Sequence, residues 1–191
     1  MRGINETKQK LLDVTKQMID DSGIDSVSMR EIGKKIQLSR SAVYRHFKNK
    51  EDLLAAIVVE NFKMLNNIIC NLIIEVDDPI RVVDAIMMFY YDFGVKNRES
   101  YRLMFGIEWN KEQYPDIYDA AFKIFEIVST CITKAQEQNC IISKPSKELT
   151  AMAYAFIHGL IELNFAGHYE SEKGLDDPHN LINSFLSMLY I

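Results

Sequence analysis

The chain has 191 residues, 48% hydrophobic and 26% charged, a globular composition that excludes a disordered chain. Eight Gly and four Pro are too few for the turns of an all-β sandwich or barrel. No run approaches the roughly 18 apolar residues of a membrane span, so no membrane partner is expected. The net charge of -5 argues against nucleic acid only as an average, because it divides sharply along the chain. Residues 1–50 carry eleven Lys+Arg against six Asp+Glu, a net of +5, whereas residues 51–191 carry eleven against twenty-one, a net of -10. The polar start (Arg2, Asn5, Glu6, Lys8, Lys10) has no signal-peptide core. Cys70, Cys131 and Cys140 are widely spaced, with no CxxC; together these features predict a reducing, cytoplasmic setting without disulfides or structural zinc.

The first helix is predicted over about Asn5 to Asp21. Its apolar face is Leu11, Val14, Met18 and Ile19 with Ile4 before them, and Gly23 ends it. Ser28 and Glu31 then stand in the capping-box spacing, with Val27 and Ile32 as the hydrophobic staple, and start a helix to about Ile36 that buries Ile32 and Ile36. Ser39 caps the next helix, with Leu38 and Val43 again at staple positions. Only Gln37, Leu38 and Ser39 separate the two, so short a link that the helices must cross steeply, as in a helix-turn-helix. Gly33 lies at that crossing, where the lack of a side chain permits close approach. Val43 and Phe47 point to the core, leaving Arg40, Ser41, Tyr44 and Arg45 on other faces. Cations, a hydroxyl and a phenol on one short helix suit phosphates and base edges. Ser28 to Lys50 holds seven basic residues and a single acid, Glu31.

A long helix follows from about Glu51 to Glu75. Asp78-Pro79 starts one to about Val95, then a shorter one covers about Glu99 to Asn110. Pro115 opens a helix to about Gln138, with Ile117, Ala121, Ile124, Phe125, Val128, Cys131, Ile132 and Ala135 at helical spacing. Asn139 to Pro145 reads as a loop. Ser146 is expected to cap a helix to about Tyr169, and Asp177-Pro178 to start the last, to the C-terminus. The prediction is an all-α protein of about nine helices.

The stretch Ser28 to Leu54, with Ser39, Tyr44, Phe47, Lys50 and Leu53 in the spacing S-x4-Y-x2-F-x2-K-x2-L, closely resembles the DNA-binding domain of the TetR family of bacterial transcriptional regulators. The resemblance implies an N-terminal three-helix helix-turn-helix domain over residues 1–50 and a larger helical ligand-binding and dimerisation domain over residues 51–191. It places Ser28, Arg30 and Ser39 at phosphate-contacting positions and Arg40, Ser41 and Ala42 where base edges are read. Arg40 would bond a guanine and Ala42 meet a thymine methyl. Tyr44, His46 and Lys50 resemble backbone contacts, and Arg45 adds a cation to the same surface. The family usually has Gly where this sequence has Gln37, and Ala where it has Gly33. If Gln37 is left-handed it costs on the order of 1 kcal/mol relative to Gly. Further on, Tyr154-Ala-Phe-Ile-His158-Gly159-Leu160 is similar to a TetR subgroup named after a Trp/His-Gly pattern, with Tyr154 in place of the Trp.

Residues 51–191 hold eighteen of the twenty aromatic residues and six of the nine Met, a composition that lines pockets for apolar or flat ligands and also fills helical cores. The residues singled out for a ligand pocket are Met87, Tyr91, Phe105, Trp109, Phe122, Phe125 and His158. His158 and Glu162 are four apart, but no third ligand stands at a diagnostic spacing, so no metal is expected. No nucleophile elbow, phosphate loop or catalytic carboxylate pair is present in the sequence, and neither an enzyme nor a cofactor is expected. The stripes Ala153, Phe156, Ile157, Leu160 and Leu181, Phe185, Leu189 fill an intramolecular core or, as the resemblance implies, build a dimer interface from the last two helices. The expectation is a homodimeric, ligand-responsive repressor of a near-palindromic operator, released by a small apolar or aromatic effector. The rival is a helical ligand-binding or interaction protein of the same fold without DNA binding, which need not keep seven cations against one acid between Ser28 and Lys50.

Overall fold

The computed structural model describes residues 2–76 and 78–191, with side chains from Asn5 onward. Ile4, assigned above to the first helix's apolar face, has its side chain outside the described residues. Nine α-helices are found among the described residues: α1 Arg2–Ser22, α2 Met29–Lys35, α3 Arg40–Tyr44, α4 Lys50–Glu75, α5 Pro79–Lys96, α6 Arg98–Phe105, α7 Pro115–Glu137, α8 Ser146–Phe165 and α9 Pro178–Ser187. Two short 3-10 turns, Ile24–Ser26 and Ser171–Lys173, complete the regular structure.

The chain divides into two compact units. The first takes residues up to Lys63 together with Glu99–Asp119, and the second takes Met64–Arg98 with Ala120–Ile191. The unit that holds the basic segment thus reaches beyond residue 50, where the charge changes, and includes the first half of α4, nearly all of α6 and the start of α7. Alone, α4 is long and apolar enough to cross a bilayer by length and composition, but more than half of that window is buried within the protein. Its inward row Leu53, Ile57, Val58, Phe62, Leu65 and Ile69 is core.

In the first unit, Gly23 (φ 78) closes α1, its N–H donating to the Ile19 carbonyl at 2.8 Å. Leu11, Ile19, Ile32, Val43, Leu53 and Ile57 are almost completely buried, and Lys16 ties α1 to α4 through Glu60 at 2.6 Å. The turn between α2 and α3 is a Schellman closure. The Leu38 N–H reaches the Gly33 carbonyl (2.8 Å) and the Gln37 N–H reaches that of Lys34 (3.2 Å). Gln37 sits at the left-handed position with φ 57. Gly33 is small for a reason: a Cβ there would stand 3.1 Å from both the Leu38 carbonyl oxygen and Val43 Cγ2. Ile36, expected in the core, is only half-buried, because α2 ends at Lys35 and leaves it as the helix cap.

In the second unit, α5 packs on α8 and α9. Gly94 lets α8 approach, since a Cβ there would lie 2.6 Å from Ile161 Cδ1. Three helices differ from expectation. α6 stops at Phe105, not Asn110, because the Trp109 indole N–H folds back onto the Leu103 carbonyl at 3.1 Å and satisfies an end group of the helix. α8 has Pro145 at its cap position, whose carbonyl accepts from the Glu148 and Leu149 N–H groups, so Ser146 is the first helical residue. It ends at Phe165, where Gly167 (φ 78) and His168 make a second Schellman closure onto Asn164 and Leu163. α9 stops at Ser187, and the chain beyond pairs with the 139–145 loop through an antiparallel Ile141–Tyr190 bridge. The Tyr190 hydroxyl donates to the Asp84 carboxylate, fixing that end.

Replacing Gln37 by Gly should relieve the left-handed cost and stabilise the protein by up to about 1 kcal/mol. The check is the urea midpoint of the variant against the parent chain.

Candidate nucleic-acid interface

The recognition-helix candidate is α3, five residues long and built on a buried side: Ala42, Val43 and the following Phe47 are packed into the first unit. At its start the Ser39 Oγ accepts from the Ala42 N–H at 3.2 Å, and the Ser41 Oγ lies 3.0 Å from that of Ser39. Ser28 does the same for α2, accepting from the Glu31 N–H at 3.2 Å. The capping box is only half formed, because the Glu31 carboxylate turns to Lys34 at 2.9 Å, and that pair holds the Glu31 acid below its usual range.

The opposite side of α3 is open. Ser39, Arg40, Ser41, Tyr44 and Arg45 are exposed, as is Arg30 on α2, while Ser28 and His46 are half-buried. The Arg40 guanidinium stands 5.4 Å from the centre of the Tyr44 ring, a cation–π pair one turn apart. Two further residues of the motif are less open. Ala42 is 6% exposed, its methyl packed inward with Val43, because the helical period puts positions 42 and 43 on the core side. Lys50 is half-buried and donates from Nζ to the Ile24 carbonyl at 3.0 Å, tying the start of α4 to the turn after α1.

Asn49, with Asp52 three residues on, is a further helix cap. Its Oδ1 accepts from the Asp52 N–H at 2.7 Å, and the Asp52 carboxylate reaches back to the Lys48 N–H at 3.3 Å.

The seven residues singled out for a ligand pocket divide between the units. Phe105 and Trp109 belong to the first, where Phe105 stands edge-on to Phe62 (5.5 Å) and Trp109 is buried with its edge on Tyr114 (5.6 Å). The other five belong to the second. Met87 is buried there, and Phe122 is exposed and stacked parallel to Phe125. Tyr91 is buried with its hydroxyl in a polar knot. It accepts from Asn164 Nδ2 and lies by the Tyr169 hydroxyl, both at 3.2 Å; burial, then Tyr169, raises its pKa strongly. His158 lies between Tyr90, whose hydroxyl is 3.3 Å from Nε2, and the Tyr154 ring at 4.1 Å. Burial pulls its pKa down from 6.5 to about 4. Tyr90, Tyr169 and Asn164 join these clusters unannounced; a lone aromatic or amide on a helix carries no sequence mark of such a cluster.

A short capped helix crossing its predecessor over a four-residue turn, with its cations and hydroxyls outward, defines a helix-turn-helix DNA-binding protein. Residues 11–57 match the bacterial regulatory proteins of the tetR family, and residues 83–189 match the tetracyclin repressor-like C-terminal domain. The chain belongs to the TetR family and is a DNA-binding transcriptional regulator, as the motif implies. It is 31% identical to the HTH-type transcriptional regulator AcrR of Shigella flexneri over 114 residues, which are 57% of this chain and about half (51%) of that relative. It is 23% identical over 188 residues to IcaR of Staphylococcus aureus, the negative transcriptional regulator of the biofilm operon icaADBC, covering 94% of this chain and 98% of the relative. Its fold matches a transcriptional regulator from Saccharomonospora viridis in complex with choline, at a TM-score of 0.82 and 17% identity over 98% of this chain and 99% of that one.

His158 sets a pH dependence. The unfolded imidazole takes a proton near 6.5 and the folded one near 4, so unfolding takes up protons between those values and stability falls as pH drops through that window. His158→Gln should flatten this fall, measured as the urea midpoint at pH 7 and at pH 5.

Proposed function

We propose that the protein is a homodimeric repressor that reads a near-palindromic operator in the bacterial cytoplasm and leaves it when a small apolar or aromatic effector binds. The observation that carries this reading is the open face of α3, where Ser39, Arg40, Ser41, Tyr44 and Arg45 are exposed above a fully packed base. Arg40 and Ser41 read base edges; Ser28, Arg30, Ser39, Tyr44, Arg45 and His46 hold phosphates. Lys50, engaged with Ile24, joins them from the start of α4. Ala42, packed inward, contributes through the shape of the helix. The negative regulation named for IcaR supports repression, and the choline complex of the S. viridis regulator supports a small organic ligand for this fold.

Reading is assigned to residues 1–50 and sensing and dimerisation to residues 51–191, with 51–63 and 99–119 framing the reading head. For the effector, Met87, Tyr91, Phe122, Phe125 and His158 are the second unit's candidates; Phe105 and Trp109 are held in the first unit.

A five-residue helix reads few bases, so a second copy is needed for affinity and specificity. The last two helices supply the surface. One face of α8 (Leu149, Ala153, Ile157, Leu160, Ile161) is buried. A second apolar row faces outward: Met152 is 47% exposed, Leu163 is 36% exposed, and a Cβ at Gly159 between them would meet nothing within 4 Å. Phe156 stacks on Phe185 of α9 at 4.4 Å, and Met188 just beyond α9 is 69% exposed. A helix with two apolar faces and one of them uncovered fits a twofold contact with its own copy.

A selection of genomic fragments with the purified protein tests the reading; recovery of no preferred sequence overturns it. On the selected sequence, Arg40→Ala should lose roughly 10- to 100-fold in affinity while random-sequence binding changes little, measured by fluorescence anisotropy. Gly159→Arg should convert the dimer to monomer in sedimentation velocity; an unchanged dimer would remove α8 from the interface.

A further inference from the structure

The segment between α6 and α7 lies in the same compact unit as the helix-turn-helix, and one side chain from it reaches the start of α4, just past the turn that follows α3. The Tyr114 hydroxyl donates to Asp52 Oδ1 at 3.0 Å. The other oxygen of that carboxylate, Oδ2, accepts from the Lys48 N–H at 3.3 Å. Lys48 stands four residues past the end of α3, directly after the buried Phe47 that anchors the recognition helix. Asp52 is therefore shared between the backbone that ends the reading head and a phenol 62 residues away in sequence. Asp52 is also fixed at its own N–H by Asn49, so the carboxylate springs from a capped helix start.

Tyr114 is itself held by several contacts. Its N–H donates to the Asn110 carbonyl at 2.9 Å, and Gln113 Nε2 donates to its hydroxyl at 2.7 Å. Its ring meets the Trp109 ring edge-to-face, and the buried Trp109 is pinned twice. Its indole N–H donates to Leu103 at 3.1 Å, and its carbonyl accepts from the Tyr118 hydroxyl at 2.6 Å. A phenol so braced is a poor swinging surface group and a good fixed point. Burial first, and then the Asp52 carboxylate, push the Tyr114 pKa up to about 12, so it keeps the donated proton throughout the range in which proteins fold.

We infer that Tyr114 is a positioning residue for DNA reading: by clamping Asp52 it fixes the Lys48 turn and thereby the angle at which α3 leaves the head. The inference rests on the DNA-reading role of α3 proposed above. It gives α6 and the start of α7 a task that neither helix-turn-helix nor ligand-pocket residues describe. They hold the recognition helix in register.

Tyr114→Phe, Asp52→Ala and the double variant test this with two readouts. The first is hydrogen–deuterium exchange of the backbone amides 46–50, which needs no DNA; the second is anisotropy on the selected operator. Tyr114→Phe should speed exchange at 46–50 but not in α1, and weaken operator binding roughly 5-fold, the lower end of ordinary coupling between sites. Its melting temperature should stay within about 2 °C, since only one partly exposed hydroxyl is lost. Because the two residues act through one bond, the double variant should be no weaker on DNA than Asp52→Ala alone. Unchanged exchange at 46–50 in Tyr114→Phe, or additive losses in the double variant, overturns the inference. Parent protein that binds no operator while Tyr114→Phe still loosens residues 46–50 retains the clamp and instead removes the DNA-reading role.

Discussion

Five residues cannot hold a helix by their own hydrogen bonds, since the cost of nucleation exceeds what one turn returns. That constraint governs the first unit. α3 exists because its surroundings impose it. Ser39 satisfies a donor at its start, Gly33 lets its Val43 seat against α2, and Phe47 anchors the exit. The Schellman closure of α2 supplies the direction in which α3 sets off. Asn49 and Asp52 then start the next helix within a few residues of its end. The apolar supports lie on the side away from solvent, and the residues left over on the outer side are mostly cations and hydroxyls.

The second unit shows the complementary design. α8 is apolar on two faces, and within one chain only one of them is covered. Gly94 allows the covered face to approach α5 until Ile161 fills the gap. Gly159 leaves the other face flat. The two glycines thus do related work on different sides, one inside the chain and the other at the surface proposed for a second copy.

How much of this the chain announces depends on the range over which the signal acts. Caps are local, and Ser28, Ser39, Asp78 and Asp177 each accept the N–H bond expected of them. The reciprocal half of the Ser28–Glu31 box was not legible, because Lys34 lies one turn beyond Glu31 and competes for its carboxylate. The end of α6 was misplaced for a similar reason: Trp109 reads as one more apolar position until its indole is seen returning to Leu103. The motif Ser39 to Leu53 located the reading head, while the inward turn of Ala42 follows from helical phase. The candidate pocket was the least legible part. Aromatic residues at helical spacing carry no mark of which will be core, such as Trp109, and which will gather into polar knots, such as Tyr91 with Tyr169 and Asn164. The Tyr114–Asp52 bond spans 62 residues, beyond any periodicity a sequence window can register.

The pairing of Glu31 with Lys34 has a thermodynamic consequence for ion release. Of the seven cations between Ser28 and Lys50, Lys34 faces a carboxylate and Lys50 a carbonyl, which leaves Arg30, Lys35, Arg40, Arg45 and Lys48 as the cations directed at neither among the described residues. Each phosphate neutralised on duplex DNA frees about 0.9 of a condensed counterion. Under the proposed reading Arg40 meets a base edge, so the other four side chains would displace roughly three to four ions from each half-site. An acid that looks out of place in a basic segment thus takes one cation, Lys34, out of that count.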